Sequence, residues 1–274
     1  MRTHAGRALS WTTADGIVTV ELHREPVNEI GTETLTDLER LAEALPDLER
    51  DAAALMIHSS IPAGFCAGAD LRELYAGVQN LDPDARRRGV REFLERTHAA
   101  FDALDRTALT TIAAVHGIVF GGGFELALTC DLIVADRTAR FCFPELRLGI
   151  IPGFGGIPRL RRDLGNALVR DLLLTGRSLG ADRAHAAGLI SQLAGESRAP
   201  EVARACAAQA ARFDRAAAAA AKRFAKPVPR EELTREIDLF CELFARPEVE
   251  DALRRFVESR ESMPWLPPNR RGPE

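Results

Sequence analysis

Two glutamates and a run of glycines are the residues of this chain whose types and spacing could do chemistry. Glu125 stands two positions after the triple glycine Gly121-Gly122-Gly123, and Glu145 stands two after Phe143. The stretch from Thr110 to Asp131 reads as a buried strand over Ile112 to Val115, then a passage through Gly117 and the three glycines. It resumes as a short apolar helix with Glu125 in its first turn. Three consecutive glycines weaken any regular element, so their use is close approach to the main chain. A helix that starts after them presents unpaired N–H groups and a partial positive charge, a place for negative charge to develop. A carboxyl set among Phe124, Leu126 and Ala127 has a raised pKa and is suited to proton transfer near neutrality. The competing structural reading is a glycine-rich turn with a glutamate in a first helical turn, where acidic residues are common.

The chain around this stretch has 274 residues, enough for one large domain or one domain with an appendage. Hydrophobic residues make up 46% and charged residues 28%, the balance of a soluble globular protein. A net charge of −4 offers no general attraction to nucleic acid or anionic membrane, so neither is expected as a partner. Cys66, Cys130, Cys142, Cys206 and Cys241 show no metal spacing, and their odd number and mostly apolar settings predict free thiols in a reducing compartment. His23, His58 and His185 also lack ligand spacing; no metal is expected, and no Ser-His-Asp set is evident. No apolar region follows Met1 as in a signal peptide, and no run is long enough to span a membrane. The expectation is a cytoplasmic protein.

Periodicity places the elements that must position the site. Ile17 to Leu22 and Ala53 to His58 read as strands, separated by a helix capped by Thr32 and running to about Leu45. A helix begins at Arg72, the polar segment from Leu81 to Arg88 is expected to be mobile, and a long helix ends near Leu104. Leu132 to Ala135 and Ala139 to Cys142 are two further strands. Alternation of strands and helices argues for an α/β architecture. Beyond about residue 165 the patterns are helical, with stops at Gly176 and Gly188 and helices over residues 201–223, 231–244 and 248–259. A soft boundary near residue 200 divides a core of residues 1–199 from a helical region of residues 200–274, with a frayed end from Pro267.

Four ordered motifs resemble the enoyl-CoA hydratase/isomerase (crotonase) superfamily, over about residues 15 to 260. They are Arg24 to Asn28, Phe65 to Leu71, Ile112 to Asp131 with the triple glycine, and Phe143 to Gly156. The resemblance implies a spiral of ββα units with a C-terminal helical region used in trimer assembly, as a homotrimer or a pair of trimers. It implies an acyl-CoA thioester substrate, with coenzyme A part of that substrate and no separate cofactor. By motif position, the Ala67 and Gly122 amides would form the oxyanion hole. Arg24, Asn28, Ala67, Gly68, Ala69, Asp70, Leu71, Gly121, Gly122 and Phe154 would bind substrate.

Family members that hydrate enoyl-CoA resemble one another in having two glutamates, which here are Glu125 and Glu145. Water addition needs a base to direct water at the β-carbon and an acid to protonate the α-carbon. Two carboxyls sharing a site titrate as a pair, so one can be protonated while the other is ionised. Glu145 is the candidate donor to the α-carbon and Glu125 the candidate holder of water. Gly122 is expected to border a cavity, where a side chain would disturb the thioester rather than the fold. Phe154 and Ile157-Pro158 depart from the family pattern, as do Glu25 and Glu29 in the adenosine loop. Asp70 reads as a helix cap or brace, and His116 as a satisfied core histidine. The leading reading is an enoyl-CoA hydratase. Its competitors are a double-bond isomerase, decarboxylase or thioester hydrolase of the same superfamily, a non-catalytic acyl-CoA binder, and an RNA-binding protein.

Overall fold

The computed structural model describes residues 2–79 and 81–258. Strands β1 (Thr3–Ala5), β2 (Leu9–Ala14) and β3 (Ile17–Leu22) form an antiparallel meander. Asp15 and Gly16, both with positive φ, make the tight turn between β2 and β3 that favours such residues. Helix α1 (Thr32–Asp51) then crosses to β4 (Ala54–Ser59), which runs parallel to β3. From here the chain repeats one unit. Strand β5 (Gly64–Cys66) is followed by α2 (Leu71–Val78) and α3 (Pro83–Arg106); β6 (Thr110–Val115) and β7 (Ile118–Phe120) by α4 (Gly122–Ala127). Next come β8 (Leu132–Asp136) and β9 (Arg140–Cys142), a 3-10 turn over Glu145–Leu148, α5 (Gly156–Leu164) and α6 (Asn166–Thr175). Strand β10 (Leu179–Gly180), α7 (Ala181–Ala186) and β11 (Gln192–Ala194) close the series.

Each turn of this spiral adds a strand to each of two sheets, before its helix in all but the last turn, where α7 lies between β10 and β11. The larger sheet has the order β1-β2-β3-β4-β6-β8-β11 and the smaller β10-β9-β7-β5. The middle strands of the large sheet are apolar along their centres because both their faces are covered. Leu55, Ile57, Ala113 and Val115 face the main core, while Met56, Ile112 and Ala114 face a second cluster on the opposite side. That second cluster is closed by α8 (Ala199–Ala210), whose Ala199, Ala203 and Ala207 recur every four residues and let the helix lie close on the sheet.

Several elements differ from the sequence expectation. Helix α1 begins after Gly31 with no side-chain cap; the Thr32 amide and hydroxyl donate to Glu73 instead. It continues past Leu45 and Pro46 to Asp51, because Leu48 extends the buried Leu35–Leu38–Leu41–Leu45 face. The segment expected to be mobile is helical from Pro83: Asp82 caps α3 through the Asp84 and Ala85 amides, with Pro83 in the first turn. The alanine-rich run is two helices, with Asp214 capping α9 (Arg215–Ala225). Helix α10 (Arg230–Phe244) packs on α3 and α5, and α11 (Pro247–Glu258) on α2. Their apolar faces, including Leu233, Ile237, Phe240 and Leu253, are therefore buried within the chain that carries them. The proposed end of the last helix at Ser259 and the segment from Pro267 lie outside the described residues. Among the described residues, no helix is long and apolar enough to cross a membrane.

A buried ion network ties these layers together behind the site. Arg159 of α5, fully buried, donates to Asp102 and Asp105 at the end of α3 at 2.6 and 2.8 Å. Arg162 and Lys226 also meet Asp105, each at 3.0 Å, and Lys222 and Lys226 meet Asp131 just after α4. Charges positioned this way are costly to strand: removing one member of a buried pair typically costs ~3–5 kcal/mol. Arg159→Met should therefore lower Tm by on the order of 10 °C, at a few degrees per kcal/mol for a chain of this size. A calorimetric scan showing an unchanged Tm would mean that Asp102 and Asp105 are adequately served by their other partners.

Candidate active site

The first wall of the site is built by the loop before α1. Asn28 has φ 54°, and its side chain latches three segments. Its Nδ2 donates to Ser59 Oγ and the Phe65 carbonyl, and its Oδ1 accepts from the Arg24 amide. Arg24 in turn donates to Asp70 Oδ2 at 2.7 Å and to the Glu29 carbonyl at 2.8 Å. Asp70 caps α2 through the Glu73 amide, as the sequence suggested. Arg24, Asn28 and Asp70 thus brace the loop; among the sequence-predicted substrate contacts, these three do not line the cavity. The cavity is bordered by Ala67, Gly68, Ala69, Leu71, Gly121, Gly122 and Phe154, together with both glutamates.

The predicted oxyanion donors need one correction. The Ala67 amide donates to the Val27 carbonyl at 3.0 Å and is not free. Two residues later the loop pairs with Ile30: the Ile30 amide donates to the Gly68 carbonyl, and the Asp70 amide to the Ile30 carbonyl. Strand-like alternation turns the intervening Ala69 amide the other way, towards the cavity. It has no acceptor within the described residues, and neither has the Gly122 amide at the start of α4. The two approach across the glycine-rich turn: a Cβ at Gly122 would stand 3.4 Å from the Ala69 nitrogen, and one at Gly68 3.1 Å from the Gly122 nitrogen. Gly122 is also tighter than the sequence implied, because its Cβ would meet the Phe154 ring at 2.7 Å. That ring is held edge-on by Phe93 and Phe101, at centroid distances of 5.7 and 5.9 Å.

Glu125 and Glu145 converge on this turn in different settings. Glu125 is buried, and its Oε1 accepts from the amides of Phe154 and Gly156, both at 2.8 Å. Gly156 must be a glycine, since a Cβ there would fall 2.7 Å from Glu125 Cγ. Burial raises the Glu125 pKa to about 7, opposed by these amides and by Arg159. Glu145 projects from the 3-10 turn against Gly121, and its Oε2 is buried with no hydrogen-bond partner. Burial, then the neighbouring Glu125 charge, holds its pKa well above the ordinary carboxyl range. One carboxyl is therefore readied to ionise near neutrality and the other to keep its proton.

Sequence reasoning missed the contribution of the C-terminal helices. Phe240 and Phe256 of α10 and α11 close the cavity beside Phe93 and Phe154. Glu236 of α10 is buried beneath the same loop, near His98 of α3. The available signal was the stripe Leu233, Glu236, Ile237, Phe240, which puts a carboxyl on the apolar face of its helix. His116, by contrast, is the satisfied histidine anticipated, bonded to the Ile61 carbonyl at 3.0 Å.

The family model described as enoyl-CoA hydratase/isomerase matches residues 12–265. The chain belongs to the enoyl-CoA hydratase/isomerase family. It is 34% identical over 250 residues to "Probable enoyl-CoA hydratase echA8" of Mycobacterium leprae, covering 89% of this chain and 92% of that protein. It is 36% identical over 179 residues to mitochondrial methylglutaconyl-CoA hydratase of Rattus norvegicus, covering 65% of this chain and 54% of that protein. Among solved structures, Pseudomonas aeruginosa DspI has a TM-score of 0.72 at 30% identity, covering 85% of this chain and 96% of that one. The enoyl-CoA hydratase of Bacillus halodurans has a TM-score of 0.79 at 24% identity over 90% and 99%, a likeness in fold. The crotonase-like spiral expected from the family motifs is the fold observed.

The protonation states make a stability prediction. A carboxyl whose folded pKa is raised binds its proton in the native state where the unfolded chain has released it. Stability therefore falls as pH rises through the ordinary glutamate range to the folded value, and stays lowered above that. Glu145→Gln should raise Tm at pH 8 relative to wild type, with the gain fading towards pH 4. Equal or lower Tm at pH 8 would show that Glu145 is better stabilised as an anion than its surroundings imply.

Proposed function

We propose that the protein hydrates 2-enoyl-CoA thioesters, adding water across the 2,3 double bond. The observation that carries this reading is the pair of buried carboxyls in unlike hydrogen-bond environments beside two unpaired amides. The Ala69 and Gly122 N–H groups would receive the thioester oxygen as negative charge develops on it. A preorganised donor of this kind is typically worth ~3 kcal/mol in transition-state stabilisation. Glu125, ionised and fixed by two amides, would orient water and take its proton as oxygen bonds to the β-carbon. Glu145, protonated, would deliver its proton to the α-carbon. The two carboxyls then hold exchanged protonation states, and return of one proton from Glu125 to Glu145 resets the site. No electron donor or further group is needed for this balance.

The aromatic lining from Phe93, Phe154, Phe240 and Phe256 supports an apolar acyl group as the part of the substrate bound deepest. Phe213 and Phe224, which are exposed on the chain alone, support the assembly implied by the family, a trimer or a pair of trimers. Light scattering of a micromolar solution would contradict that assembly if it returned the mass of one chain.

Incubation with a panel of acyl-CoA thioesters, read by mass spectrometry, tests the reaction. Gain of one water is expected; an unchanged mass, loss of carbon dioxide or release of free CoA would replace hydration with isomerisation, decarboxylation or hydrolysis. Glu125→Gln and Glu145→Gln should each reduce kcat by about 10²–10⁴-fold, the usual worth of positioned acid–base groups. The wild-type rate should fall on acidification below about pH 7, as Glu125 takes up a proton. A flat acid limb or an active glutamine variant would remove the carboxyl pair from the chemistry.

A further inference from the structure

The loop of residues 153–157 is held from three directions. From α4, Glu125 accepts its Phe154 and Gly156 amides. From α10, Glu236 Oε1 accepts the Ile157 amide at 3.1 Å. From α3, His98 Nε2 donates to the Gly153 carbonyl at 2.8 Å. Two glutamates from different helices thus grip neighbouring amides of one short loop. The loop is shaped for this: Gly155 has φ 95°, and a Cβ at Gly153 would collide with the Phe240 ring at 2.6 Å. Arg159 adds a fourth hold through the Phe154 carbonyl at 3.0 Å.

We infer that Glu236 is a positioning residue, which holds the 153–157 loop from α10 and so determines where the Glu125 carboxylate is held. This deepens the hydratase reading and rests on it. An apolar residue would be the ordinary occupant of this position in the α10 stripe, but it would leave the half-buried Ile157 amide without its acceptor. The second oxygen of Glu236 is buried without a hydrogen-bond partner, 3.9 Å from His98 Nε2. The charged and titratable groups around it are His98 from α3, Glu125 from α4, Arg159 from α5, and, outward along the cleft beside α10, Arg161, Glu232, Arg235, Asp238 and Glu242. Burial first, and then the Glu125 charge, keeps Glu236 protonated well above the ordinary range, and burial keeps His98 neutral by lowering it to about 4. Glu236 therefore acts as an uncharged acceptor. What it supplies is geometry, and a glutamine supplies the same acceptor.

The test compares Glu236→Gln with Glu236→Met and Glu236→Ala, each checked for folding by circular dichroism. The glutamine variant should keep kcat within roughly threefold of wild type, with the pH profile in place. The methionine variant should lose about 10–100-fold in kcat with little change in KM, the scale expected when a reacting group is misplaced by about an ångström. Its acid limb should move to higher pH, because amides that favour ionised Glu125 are no longer held in place. The Glu125 titration is also read without substrate, by ¹³C NMR of glutamate-labelled enzyme, with its signal assigned by loss in Glu125→Gln. This separates the two ideas: a wild-type enzyme that hydrates no enoyl-CoA fails the hydratase reading, while the NMR titration still decides the role of Glu236. A folded methionine or alanine variant with wild-type Glu125 titration would overturn the inference. So would a glutamine variant as impaired as methionine, or failure of both apolar variants to fold while glutamine folds.

Discussion

The burial of carboxyl groups with only partial compensation is the constraint on which this structure depends. An isolated carboxylate in an apolar interior is so costly that it either finds donors or keeps its proton. Glu125 finds two backbone amides, and its pKa stops near neutrality. Glu145 has an oxygen with no hydrogen-bond partner and stays protonated at higher pH. The difference between the two follows from backbone placement: the amides of Phe154 and Gly156 face one carboxyl and not the other. The two carboxyls are thus set apart by backbone amides that reach one of them.

That backbone placement follows from the spiral. Because each turn sends one strand to each sheet, the loops after β5, β7 and β9 emerge side by side on the small sheet's neighbouring strands. The first brings the Ala69 amide, the second Gly122 and Glu125, and the third Glu145 and the 153–157 loop. The core behind them is bound by the Arg159–Asp102–Asp105 ion network, which also reaches the Phe154 carbonyl. Stability of the fold and precision of the site are therefore coupled through α5. The C-terminal helices complete the enclosure, so the residues most remote in sequence from the glycine motif supply the apolar roof.

Much of this was legible in the sequence, for identifiable reasons. Strands β3, β4, β6, β8 and β9 were legible as apolar runs, whereas β5 and β7, each three residues long and beside glycines, are too short to show a period. Glu125 and Glu145 stood out as carboxyls in apolar or motif settings. Which amide of the first loop is left unpaired did not, since Ala67 and Ala69 are the same residue type two positions apart. Only the hydrogen bond from Ala67 to Val27 separates them. The split between α8 and α9 was hidden by alanine, which favours helix on both sides of Asp214. Glu236 was hidden differently: a glutamate in a charged helix reads as solvent-facing until the neighbouring Leu233, Ile237 and Phe240 are seen to be buried.

The most direct test of this account is infrared difference spectroscopy of the carboxyl stretch at neutral pH, comparing the free wild-type enzyme with Glu145→Gln and Glu125→Gln. The account predicts a protonated-carboxyl contribution that is lost in Glu145→Gln while that of Glu236 remains, and an ionised-carboxylate contribution lost in Glu125→Gln as pH is raised above about 7. If Glu145 contributes no protonated band at neutral pH, the division of labour between the two glutamates is contradicted.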